Sequence, residues 1–395
     1  MTHTGPSPTD TDGAVLLTGA TGFVGMELLS RYLERSERGV YALIRAPDGA
    51  AAEERLREVR TSLYSRPDAY ADRVTAVAGD IESPGLGLDD ADRALLGDRV
   101  TEIVHSAASV SFSLPLEAAR EVNVEGTRRM LELAQDCALG RGGLKRFSYL
   151  STAYVAGDHG GEFGEDQLDE GQRFRNSYER SKFEAERLVH AYADHLPVQV
   201  FRPSIVVGER TTGWTNSFNV LYPPLKAFAR GAYPAIPGRR STPVDVVPVD
   251  YVADAVFELS NRPLTGNETY HLVAGPQATS AGRIATMAAR YFGRRPPWML
   301  PPRIYRRLIH PLVVRRTQGR RRRALEQSEA LFPYFSMRVR FDDTRARSRL
   351  VPAGVRVSPL EQYFERLLDF AVRARWGRSA PGRAEARGAP AAVAA

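Results

Sequence analysis

The stretch Ala14-Val15-Leu16-Leu17-Thr18-Gly19-Ala20-Thr21-Gly22-Phe23-Val24-Gly25 decides the fold of this 395-residue chain. Ala14 to Leu17 read as a strand buried on both faces, and three glycines at three-residue spacing come after it. Gly19 lets the chain turn, Gly22 lets a pyrophosphate come close to the backbone, and Gly25 lets the next helix pack tightly on the strand. That helix continues through Glu27, Leu28, Leu29, Tyr32 and Leu33, with its unpaired N–H groups and positive dipole end aimed at an anion. The unit reads as strand, turn and helix around a dinucleotide. Its spacing is GxxGxxG rather than GxGxxG, so by itself it also reads as an ordinary glycine loop.

The next elements of the chain support the dinucleotide. Gly39 to Arg45 is a second apolar strand that ends in a cation where an adenosine ribose is read. An acid there would bond a free 2′-hydroxyl, whereas Arg45 would pair with a 2′-phosphate, which favours NADPH over NADH; the other reading is a solvated arginine at a strand end. A charged helix, Glu53 to Tyr64, leads to the strand Val74 to Ala78, with Asp80 and Ile81 at its carboxyl edge beside an adenine. Val100 to His105 is a fourth strand, and Ser106, Ala107 and Ala108 are small enough for the chain to pass close to a cofactor. His105 reads as a strand-end histidine more readily than as a catalyst. Leu116 to Cys137 is an amphipathic helix in which Asn123 either faces solvent or is held for a polar task in the core. Arg146 to Leu150 is a fifth strand that delivers Ser151 and Thr152. Strands and helices alternating over short connections give an α/β, doubly wound parallel sheet.

The totals fit a globular protein. The chain has 43% hydrophobic residues and no apolar run near the roughly 18 residues of a membrane span. Residues 1–13 read as a disordered leader without the features of a signal peptide, so a cytoplasmic location is expected. The single cysteine, Cys137, lies in an apolar helical pattern and excludes an internal disulfide. The net charge of +7 is uneven: residues 1–290 hold 31 basic and 39 acidic residues, and residues 291–350 hold 16 Arg against 4 acids. The basic stretch Arg303 to Arg323 mixes cations with Ile304, Tyr305, Leu308, Ile309 and Leu312. It reads as a peripheral contact with an anionic membrane, as a guide for substrate phosphates, or as a solvated face. Nucleic acid is not expected, since no nucleic-acid fold accompanies the charge.

Tyr178 and Lys182 stand at i and i+4 on one helix face, and lysine is scarce here, with three in the chain against 16 tyrosines. A carbonyl reductase needs such a pair. A phenol titrates near pH 10, and a neighbouring ammonium favours the phenolate and moves it towards neutrality. The same lysine can bond a nicotinamide ribose, and Thr152 would hold the substrate oxygen against the tyrosine.

With these residues in place the chain resembles the extended short-chain dehydrogenase/reductases, and within them the fatty acyl-CoA reductases and thioester reductase domains. Thr18 to Gly25 and Tyr178/Lys182 mark the superfamily. The branch is marked by Gly79 to Leu88 (GDIESPGLGL), His105 to Phe112 (HSAASVSF), Asn123 to Thr127 (NVEGT), Ser151 to Val155 (STAYV), Phe201 to Gly208 (FRPSIVVG), Gly213 to Asn216 (GWTN) and Val244 to Val252 (VDVVPVDYV). The resemblance covers about residues 14–275. It implies a Rossmann-like, NADP-binding domain over 14–275 that carries substrate-domain insertions. It implies Thr152, Tyr178 and Lys182 as the catalytic group. The implied cofactor contacts are Thr18, Gly19, Thr21, Gly22, Phe23, Val24, Gly25, Arg45, Asp80, Ile81, Ala107, Ala108, Tyr178, Lys182, Pro203, Ser204 and Ile205, with no metal. The implied reaction is NADPH-dependent reduction of a fatty or similarly apolar acyl thioester, on coenzyme A or a carrier protein, to an aldehyde, with further reduction to an alcohol left open. The alternative is an extended reductase acting on an alcohol, ketone or nucleotide sugar.

Residues 276–376 read as a smaller, mainly helical, basic region for substrate or membrane, with helices at Ile284 to Phe292, Ile304 to Val314, Arg320 to Leu331 and Leu360 to Trp376. The aromatic residues of the last of these read as a second core layer. The tail, residues 377–395, is rich in Ala, Pro, Gly and Arg and is expected to be disordered.

Overall fold

The structure is a computed structural model that describes residues 13–231, 235–301, 337–379 and 381–388, with the single positions 304, 305, 307, 311 and 334. The leader before residue 13, most of the basic stretch 303–323 and both helices expected between 304 and 331 lie outside the described residues.

Seven strands form one sheet: β1 (Ala14–Thr18), β2 (Val40–Ile44), β3 (Val74–Ala78), β4 (Val100–His105), β5 (Arg146–Leu150), β6 (Val198–Pro203) and β7 (Glu268–Leu272). Their order across the sheet is β7-β6-β5-β4-β1-β2-β3, and every pairing is parallel. The order reverses at β1 and β4, so their carboxyl ends leave the crevice in which doubly wound sheets bind ligands. The two faces bury separate cores, as near-continuous apolar strands require. On one side α1 (Phe23–Arg35), α2 (Gly49–Tyr64) and, later in the chain, Val249–Ser260 cover Val15, Leu17 and Ala42; on the other, Leu16, Ile103 and Phe147 meet Met130, Leu133 and Val189.

The helix after β4 is not continuous. After α3 (Asp90–Arg99) and β4, α4 (Leu116–Arg120) passes through a π-helical turn, Glu121–Glu125, into α5 (Gly126–Leu139). The turn's extra residue re-aims the side chains at that point, and such turns accompany functional sites. Next come α6 (Ser177–Ala191), α7 (Tyr222–Ala229), α8 (Val249–Ser260), α9 (Ala281–Tyr291), α10 (Thr344–Leu350) and α11 (Phe364–Arg373). Tyr363, Phe364, Leu367 and Leu368 pack with Tyr222, Leu225, Phe228 and Ile284 as a further apolar layer beside the sheet.

The tail departs from its expected disorder at residues 381–388. Arg383–Gly388 forms α12 against α2, Arg383 is buried, and the Trp214 indole donates to the Pro381 carbonyl at 3.1 Å. The physical reason is a charge in the core: Glu27 of α1 is buried, and the Arg383 guanidinium meets it at 2.8 Å and Glu34 at 3.1 Å. The low-complexity composition hides a counter-ion.

Candidate active site

The first turn is built as its glycines suggest. Gly19 sits at φ +76°, and a Cβ there would come within 2.8 Å of the Ala107 nitrogen; a Cβ on Gly25 would run into the Gly19 carbonyl. These two positions bring the β1–α1 turn against the end of β4. Gly22 precedes α1 with no side-chain cap, so the helix presents free N–H groups to the crevice. Thr18 ties the same elements together: its Oγ1 accepts from the Ser106 and Ala107 nitrogens at 3.1 and 3.0 Å. With those acceptor positions taken, its proton goes to His105 Nδ1 at 2.8 Å, and His105 Nε2–H then donates to Thr127 Oγ1 at 3.2 Å. Burial lowers His105 to about 3, so the ring is neutral, with both nitrogens hydrogen-bonded.

A cleft of about 620 Å³ opens along the carboxyl ends of the strands. That volume is in the range of small-molecule and cofactor sites. Thr18, Gly19, Thr21, Gly22, Phe23, Val24 and Gly25 line it from the first turn, Arg45 from the end of β2, Asp80 and Ile81 from the end of β3, and Ala107 and Ala108 from the end of β4. Thr152 joins from the end of β5, Tyr178 and Lys182 from α6, and Pro203, Ser204 and Ile205 from the end of β6. The glycine cradle, the open helix end and the size of the cleft fit a dinucleotide.

Helix α6 starts with Asn176, whose side chain accepts from the Glu179 nitrogen at 2.9 Å, while Glu179 accepts in return from the Arg175 nitrogen at 2.9 Å. This cap fixes Tyr178 in the first turn and Lys182 one turn later. Lys182 Nζ donates to Tyr149 OH and to the Leu150 carbonyl, both at 2.7 Å. Burial lowers Lys182 to about 7. Burial likewise pushes Tyr178 up to about 12, against the pull of the Thr152 hydroxyl. Here the geometry departs from the expected phenol drawn towards neutrality: the ammonium is bonded to Tyr149, and Tyr178 keeps its proton at neutral pH.

Several residues at the site carry no readable role in the sequence. Asn123, in the π-helical turn, accepts from the Ser109 nitrogen at 2.8 Å and donates to the Ser109 carbonyl at 3.1 Å and to Ser181 Oγ at 2.9 Å. It is the core residue with a polar task, tying the loop after β4 to α6 between Tyr178 and Lys182. Arg55 reaches the Arg45 carbonyl from α2, and Arg45 pairs with Glu82 at 3.1 Å, so two cations and one acid surround the end of the cleft where β2 stops. Arg55 lies in a charged helix and its sequence context looks like a solvated face. Tyr334 comes from the region without motifs; its hydroxyl accepts from Asn176 at 2.8 Å, and its ring stacks on Phe112, which packs against Tyr178.

A second cavity, about 140 Å³, adjoins the cleft through Tyr154, Ile205, Val220 and Tyr334. Its walls are mainly apolar, with Leu225, Phe228, Ile284 and Phe341 among them, and Asp245 and Arg340 supply polar groups. Among the described residues no cluster of His, Cys, Asp and Glu could hold a metal ion, and no helix is long and apolar enough to cross a membrane.

Comparison with known proteins finds relatives of the chain. The family model described as male sterility protein, an NAD-binding domain, matches residues 17–256. A carboxylic acid reductase of Segniliparus rugosus is 35% identical over 298 residues, which are 67% of this chain and 24% of that protein. The non-canonical nonribosomal peptide synthetase FrzA of a Cladobotryum species is 31% identical over 291 residues, 71% of this chain and 28% of that protein. The chain thus spans less than a third of either relative. The crystal structure of the terminal R domain from the myxalamid PKS-NRPS biosynthetic pathway superposes with a TM-score of 0.81 at 29% identity, covering 95% of this chain and 94% of that one.

Proposed function

The chain belongs to the male sterility protein family of extended short-chain reductases, takes a nicotinamide cofactor, and on that premise we propose that it is an NADPH-dependent reductase of apolar acyl thioesters. One observation carries the reading: Thr152, Tyr178 and Lys182 share a cleft with the glycine cradle, and an apolar cavity opens from that cleft beside them. A fatty or similarly apolar acyl group would lie in the cavity, with its thiol carrier, coenzyme A or a carrier protein, at the mouth.

With its pyrophosphate at the glycine cradle and its nicotinamide beside Tyr178 and Lys182, the bound cofactor would supply hydride to the thioester carbonyl carbon. The chain's own groups handle the oxygen. The hydroxyls of Thr152 and Tyr178 would stabilise the developing oxyanion, and Tyr178, protonated at neutral pH, would give it its proton. Lys182 would hold the cofactor ribose and steady the phenolate left behind. The hemithioacetal then collapses to free thiol and aldehyde. Buried Cys137, pushed up to about 12 by burial, lies outside the cleft and is an inert thiol.

The test incubates the protein with NADPH and a panel of acyl-CoA and acyl-carrier-protein thioesters and counts thiol released per NADPH oxidised. One thiol per NADPH marks an aldehyde product, and one per two marks an alcohol. NADPH consumption with a ketone or nucleotide sugar and no thiol release from any thioester would replace this reading with the other extended reductase class.

A further inference from the structure

Tyr178, Lys182 and Glu186 succeed one another at four-residue spacing on the same face of α6. The proposed chemistry employs the first two. Glu186 is fully buried, and it is more elaborately held than either. Its Oε1 accepts from Arg202 Nε at 2.8 Å and Nη2 at 2.6 Å, and its Oε2 accepts from the Ser151 hydroxyl. Arg202 stands on β6 in register with His271 on β7, and its Nη1 donates to His271 Nε2 at 3.1 Å. That ring proton therefore sits on Nδ1, which donates to the Asp342 carbonyl at 2.6 Å. Burial, reinforced by Arg202, lowers His271 to about 3, so the ring is a neutral acceptor.

A buried ion pair is a weak source of stability, because desolvating both charges offsets their attraction. The arrangement asks for another reason. The groups around Lys182 suggest one. His105 on β4 is neutral, Tyr149 on β5 and Tyr178 on α6 keep their protons, and Asn123 and Thr127 carry no charge. Glu179 is occupied by Arg175 one turn before. Among the described residues, Glu186 is the anion whose charge opposes the desolvation of Lys182.

We propose that Glu186 is a positioning residue of the reductase: its carboxylate, anchored by Arg202 and His271, holds a larger share of Lys182 in the ammonium form and, through Ser151, fixes the strand end that presents Thr152. The proposal rests on the role of Lys182 in the reductase reading. The sign comes from the charges. Burial favours neutral lysine, and the carboxylate opposes it; loss of the negative charge shifts the ammonium to a lower titration point, leaving less of it charged at neutral pH.

The three lysines of the chain, Lys145, Lys182 and Lys226, allow a direct reading. Protein labelled with 13Cε-lysine shows three resonances, and Lys145→Arg and Lys226→Arg assign that of Lys182 by elimination. The expected midpoint for Lys182 is about 7 in the unaltered protein. Glu186→Gln, of nearly equal volume, lowers it by about one unit or more, and Glu186→Asp, which draws the charge back by one methylene, lowers it by a smaller amount. An unmoved midpoint in either folded variant overturns the proposal and leaves Glu186 a structural ion-pair partner. In parallel assays of thioester reduction at saturating NADPH, Glu186→Gln lowers kcat and moves the alkaline limb of its pH profile to lower pH, with the KM for the thioester unchanged. Titration as described in a protein that reduces no thioester would leave Glu186 in its role and overturn the functional reading instead.

Discussion

Arg45 ends β2 as a half-free cation: it pairs with Glu82 at the surface, and Arg55 approaches its carbonyl from α2. An exposed pair of that kind is weak and salt-screened, so a 2′-phosphate can displace Glu82 at little cost and gain two guanidinium partners. NADPH is expected to exceed NADH in kcat/KM by about tenfold or more. Arg45→Ala removes most of the difference, and Arg45→Ala with Arg55→Ala removes the rest. Equal kcat/KM for the two cofactors in the unaltered protein would mean that Glu82, accepting from a free 2′-hydroxyl, is the residue that reads the ribose. Burial also explains why spacing misjudges the titration of Tyr178: an i, i+4 lysine places an ammonium near the phenol, but only the fold reveals how completely the phenol is desolvated and that Tyr149 OH and the Leu150 carbonyl hold the ammonium.

At the scale of elements, the π-helical turn and α12 are the two parts that no pattern announces. Asn123 in an apolar helix leaves two options open because helix propensity says that asparagine is costly there and not what offsets the cost; its partners, Ser109 and Ser181, lie on other elements. Composition misjudges the tail because disorder follows from it only when no charge in the folded body demands a partner. Glu27 makes that demand: burial raises it, and Arg383 and Arg31 pull it back down. Arg383→Met keeps most of the volume and leaves Glu27 with Arg31 alone. The expected loss of stability is about 3 kcal/mol, the low end for breaking a buried pair, read from the shift of the urea midpoint at constant m. A shift corresponding to less than about 1 kcal/mol would mean that α12 is a peripheral attachment.

At the scale of the molecule, the sheet and the cleft are legible in the sequence to a large extent. Strand positions follow from apolar runs such as Ala14 to Leu17, and the crevice follows from the parallel order, so the glycine turn, Arg45, Asp80 and the Tyr178/Lys182 face had to converge at one sheet edge. The partners that arrive from far along the chain are not legible. Arg202, His271 and Asp342 join Glu186 only because β6, β7 and the segment before α10 are neighbours in space, and Tyr334 reaches Phe112 across more than half the sequence. The membrane contact expected of Arg303 to Arg323 falls mostly outside the described residues, and the proposed reaction needs only the cleft and its apolar side cavity. Its central step is the gift of a proton by Tyr178 in thioester reduction. The most direct measurement is the rate of thiol release from an acyl-CoA by Tyr178→Phe at saturating NADPH, beside the unaltered protein. A fall of roughly 10² to 10⁴, with NADPH binding retained in a fluorescence titration, is the predicted result; thiol release at the unaltered rate would contradict it.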